Sequence, residues 1–121
     1  MVEGPIPSVS EAVKRAAAIC DPADEDPIVA GLVERYEDDD RPATSVEELA
    51  AEVEAAAREG DPAGPGPAAE MTAMAATWIA TNSREADDPE RVLREAARAA
   101  YDGHPPEPIG DWLRERGVEL G

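Results

Sequence analysis

The chain reads as an all-α bundle of about five or six short helices, and three observations predict it. Apolar residues recur at helical spacing almost throughout, and no segment shows a convincing period of two. Helix-start chemistry recurs as well: Ser8 has Glu11 three residues on, and Asp-Pro occurs at Asp26-Pro27 and Asp88-Pro89. Residues 67–82 carry one charge, Glu70, and are apolar nearly all round, the pattern of a helix enclosed by others.

The first helix opens at Ser8 and ends before Pro22, with Val9, Val13, Ala16, Ala17 and Cys20 on its apolar stripe and Ile19 at the edge. Asp26 caps a second helix whose buried face is Val29, Leu32, Val33 and Tyr36. A third is expected from Thr44 or Ser45, each with a glutamate three residues later, with Val46, Leu49, Ala50, Val53 and Ala57 on its stripe and Gly60 just past its end. Residues 61–67 (DPAGPGP) form a stiff internal loop. The central helix then places Met71, Met74, Ala75, Trp78 and Ile79 on one side. The fifth, from Asp88-Pro89, carries Leu93, Ala96, Ala97, Ala100 and Tyr101 and closes at Gly103. Residues 104–108 (HPPEP) are expected to be extended. A short last helix holds Ile109, Trp112 and Leu113, and Gly117-Val118 fits a Schellman ending.

A length of 121 residues predicts one domain, 1–121. Asp and Glu outnumber Lys and Arg 28 to 11, for a net charge of -17, and the carboxylates are spread along the whole chain. Such a surface repels phosphate backbones and anionic lipid, so neither a nucleic acid nor a membrane is an expected partner. Two readings of the acidity remain: a carboxylate coat suited to a salty cytoplasm of the halophilic kind, or a negative face aimed at a basic protein. Cys20 is the sole cysteine and excludes an internal disulfide. The first residues show no basic region and no apolar run, and no stretch approaches the roughly 20 apolar residues of a membrane span, so a soluble cytoplasmic protein is expected. The core is thin and alanine-rich, which makes a homodimer a reasonable expectation.

Chemistry-bearing candidates are few. Asp38, Asp39 and Asp40 follow the second helix at its negative pole, where carboxylates are unfavourable, and Arg41 partly neutralises them. They form the expected interaction face, with Trp112 as an aromatic anchor. Arg91, Arg94 and Arg98 make one stripe of the fifth helix and are the candidate anion-binding group, although Glu90→Arg94 and Arg91→Glu95 are also helical ion-pair spacings. One cysteine and one histidine cannot make a Cys/His metal site, and no cofactor or metal is expected. Cys20, on the apolar stripe, is expected to be inert core.

Arg98 and His104, the sole histidine, are spaced Arg-x5-His. This resembles the Arg-x4–6-His signature of the HEPN superfamily, small all-helical domains that include ribonucleases. The resemblance implies that Arg98 would hold a phosphate while His104 activates the 2′-hydroxyl or protonates the leaving oxygen. It covers seven residues, with Ala99 where the family usually has a polar residue and Gly103 breaking the helix between the pair. A metal-dependent helical hydrolase would instead need Glu34 and Glu37 to meet Glu85 and Asp88 across a long interval. The leading expectation is a non-enzymatic interaction or regulatory module, of which antitoxins, immunity proteins and nucleic-acid mimics are types; a small ribonuclease or hydrolase and a self-associating assembly domain are the alternatives.

Overall fold

Local chemistry starts each helix where a polar side chain can take up the unpaired first amides. The computed structural model describes residues 7–23, 25–43, 48–60, 66–82 and 88–118. Its helices are α1 (Val9–Cys20), α2 (Pro27–Arg35), α3 (Leu49–Gly60), α4 (Gly66–Thr81), α5 (Pro89–Tyr101) and α6 (Glu107–Glu115). The described residues form an all-α bundle with one isolated antiparallel bridge, Ser8 to Pro42. Ser8 Oγ accepts from the amide of Glu11 at 3.1 Å. Asp26 Oδ1 accepts from Ile28 and Val29 at 2.9 and 3.3 Å, and Asp88 accepts from Glu90 at 3.1 Å.

Burial of α4 organises the bundle. This helix packs against all five others. Ala68, Ala69, Met71, Thr72, Ala73, Ala75, Ala76, Ile79 and Ala80 are all buried, which takes in most of its circumference. Of the side expected from the sequence, Met71, Ala75 and Ile79 are fully buried, while Met74 and Trp78 are half-buried. Thr72, fully buried, satisfies its hydroxyl by donating to the Ala68 carbonyl at 2.8 Å. Ala12, Ala16 and Ala17 of α1 and Ala96 and Ala97 of α5 are buried too. Small residues on facing helices permit the short end of the roughly 8–10 Å range of axis separations.

Several boundaries differ from expectation. Glu48 adopts φ 56°, a left-handed conformation no helix can pass through, so α3 starts at Leu49 instead of Thr44 or Ser45. Residues 44–47 and 61–65 lie outside the described set, and with them Val46 and most of the expected loop. Gly66 and Pro67 already belong to α4. Glu107 and Pro108 begin α6 and are not extended, because a first helical turn needs no amide donor from proline. On α5 the buried set is Val92, Leu93, Ala96 and Ala97, while Ala100 is exposed. Asp102 (φ 54°) and Gly103 (φ 82°) end α5 as a left-handed pair. Val118 donates to Leu113 and Gly117 to Arg114, both at 3.0 Å, which completes the Schellman ending at Gly117 (φ 78°).

An alanine-packed centre has no room for added methylenes. Replacing Ala73 of α4 by leucine is expected to destabilise the protein by about 1–3 kcal/mol, whereas exposed Ala99→Leu should change stability by no more than about 0.5 kcal/mol. Urea unfolding of the two variants reads the difference.

Candidate interaction surface

The acidic run does not hang from the end of α2. Tyr36 closes that helix, 4% exposed, and its hydroxyl reaches the Glu52 carbonyl at 3.5 Å. Burial, followed by the nearby Glu52 carboxylate, pushes the phenol up to about 12. Residues 37–43 then cross the start of α1 as a strap. Val9 donates to the Arg41 carbonyl at 2.8 Å, Ser10 to the Asp39 carbonyl at 3.1 Å, and Ala43 to the Pro7 carbonyl at 2.8 Å. Ser10 Oγ donates to the Glu37 carbonyl at 2.9 Å. The strap therefore supplies acceptors for α1 amides that have no partner within the helix. The run that follows the negative pole of α2 lies at the positive pole of α1, where carboxylates are welcome.

Its three aspartates are not equivalent. Asp39 turns onto Arg41: Oδ1 accepts from the Arg41 amide at 3.1 Å and from Nε at 2.9 Å, and Oδ2 accepts from Nη2 at 2.6 Å. Arg41 Nη2 also donates to Glu52 of α3 at 3.1 Å. Hydrogen bonding from Arg41 holds the Asp39 carboxyl below the usual carboxylate range. Asp38 and Asp40 stay exposed on either side.

The remaining candidates are dispersed. Arg94 meets Glu90 at 3.9 Å and Arg98 meets Glu95 at 3.3 Å, so two members of the α5 stripe sit among carboxylates of their own helix; Arg91 is exposed. His104 is exposed past the left-handed turn, its amide donating to the Tyr101 carbonyl at 2.8 Å. Cys20 is buried, and desolvation pushes its thiol up to about 12. Trp112, expected to anchor an interface, is only 7% exposed, and the Arg116 guanidinium lies 3.9 Å from its ring centroid. The indole belongs to the core of the chain, because α6 turns its apolar face inward onto α4.

One polar patch was missed. Glu70 of α4 is half-buried, and desolvation followed by the charge of Glu54 raises its carboxyl. Burial, with Glu70 and Glu54 nearby, pushes the Tyr101 phenol up to about 12. The single charge on an otherwise apolar helix was the signal for it. Among the described residues, no group of three or more His, Cys, Asp or Glu side chains is gathered to hold a metal ion. None of the described helices is long and apolar enough to cross a membrane. No protein-family model matches the chain, and comparisons with curated proteins and with solved structures give no match either.

The strap makes a pH-dependent contribution with a defined sign. A carboxyl depressed in the folded state stabilises above its unfolded value of about 3.9 and loses that contribution as pH falls through it toward the folded value. Asp39→Asn should lower Tm at pH 7 and release amide protection at Val9, Ser10 and Ala43. The Tm difference from the parent chain should shrink below about pH 4. Hydrogen exchange and a pH series of melting curves check both.

Proposed function

We propose that the protein is a non-enzymatic interaction module that docks on a basic protein partner, with the strap as its centre. The observation that carries this reading is the asymmetry of the run: Asp39 is committed to Arg41 while Asp38 and Asp40 point their charge outward from a backbone tied to α1. Carboxylates held on a fixed backbone lose little freedom on pairing, and charge complementarity raises association rates. The cations do not offset them, since Arg35, Arg41, Arg58, Arg94, Arg98 and Arg114 all pair with carboxylates of this chain. A net charge of -17 means that many carboxylates remain even if every cation takes one.

The test compares equal charge removed from two places. The probe is a folded lysine-rich protein at low salt. Asp38→Asn/Asp40→Asn should weaken its binding about fivefold or more while the protein stays folded, and Glu107→Gln/Glu115→Gln on α6 should weaken it about twofold or less. Equal losses from both double variants would show attraction by net charge alone and remove the strap from the reading.

A further inference from the structure

An open groove of about 610 Å³ lies between the α1–α2 turn, the start of α4 and the end of α6, within the size range of small-molecule sites. Ile28, Ala68 and Trp112 give it an apolar floor. One wall is acidic and fixed. The two oxygens of Asp21 accept from the amides of Glu25 and Asp26 at 3.1 and 2.9 Å, and Asp26 is held by its own cap bonds to Ile28 and Val29. A carboxylate has about four acceptor positions, so both groups keep capacity for another donor.

The other wall is Arg116. Where six arginines of this chain pair with carboxylates, Arg116 is held by the Trp112 ring and by one bond from Nη1 to the Trp112 carbonyl at 3.2 Å. Among the described residues no carboxylate makes an ion pair with it. That is unexpected in a chain with 28 acidic residues, and a planar guanidinium with five donors retains several for a ligand. Opposite charges thus line one groove without neutralising each other.

The charge pattern selects among occupants. A simple anion would face Asp21, Glu25 and Asp26, and a simple cation would face Arg116. A neutral apolar molecule would desolvate both walls with nothing in return. We propose that the groove binds a small zwitterion of the aliphatic α-amino-acid class, its ammonium on Asp21 and Asp26, its carboxylate on Arg116 and its side chain on the floor. This site is separate from the strap and does not depend on the docking reading.

Three probes test it on the full chain by ¹⁵N NMR titration: leucine, leucine amide, which lacks the carboxylate, and N-acetylleucine, which lacks the ammonium. Leucine should give saturable shifts at the Ile28, Ala68 and Arg116 amides, and each capped analogue should bind about tenfold more weakly or worse. Arg116→Gln should weaken leucine but leave leucine amide unchanged. Asp26→Asn, which still caps α2, should weaken leucine but leave N-acetylleucine unchanged. The proposal is overturned by absence of saturable shifts at these amides up to about 50 mM leucine, by capped analogues that match leucine, or by variants that affect all three probes alike.

Discussion

A helix with no polar face must be covered on every side, and α4 sets that requirement for the whole bundle. Its buried residues take in most of its circumference, so no single partner helix could enclose it, and each of the other five packs on it. Among the described residues, alanine makes up six of the nine buried residues of α4 and eight of the 22 buried apolar residues around it. Burying a full Leu, Ile or Met side chain contributes roughly 1.5–3 kcal/mol, whereas alanine contributes less but lets backbones approach. Larger buried side chains come from every helix: Val9 and Val13 on α1, Leu32 on α2, Leu49 and Val53 on α3, Met71 and Ile79 on α4, Val92 and Leu93 on α5, and Ile109 and Leu113 on α6.

With the interior assigned to small apolar groups, the carboxylates fall into two populations. One is structural: Asp26 and Asp88 cap helices, Asp21 braces the α1–α2 turn, and Asp39 with Arg41 and Glu52 ties the strap to α3. Each is held by amides or by a guanidinium. The other population, Asp38, Asp40 and many glutamates of the helix surfaces, is exposed and exceeds the available cations. The division matters for function, because the second population can pair with a basic protein without loosening the fold.

Local signals were legible in the sequence. The caps at Ser8, Asp26 and Asp88 and the ending at Gly117 stand where spacing placed them, since each depends on residues within a few positions. What depends on chain reversal was not. Glu48 reads as helix, and only its left-handed backbone delays α3. The aspartate run reads as a mismatch with α2, because nothing local reveals that Val9 will donate to Arg41. Trp112 reads as an interface anchor on a short helix with a small apolar face, and only the packing of α6 onto α4 buries it within the chain. The groove draws on four separate elements and has no signature in the sequence.

The central claim is that the fold rests on the enclosure of α4 and that the exposed carboxylates exceed what folding needs. Thermal unfolding against KCl, from about 0.05 to 3 M, tests it most directly, because screening shrinks to about 4 Å by roughly 0.5 M and changes little in effect thereafter. The account predicts a Tm that rises as repulsion among the excess carboxylates of the helix surfaces is screened and then levels off near about 0.5 M. A Tm that climbs steadily to 3 M would contradict it, and would make the acidic surface an adaptation that the fold itself requires in salt.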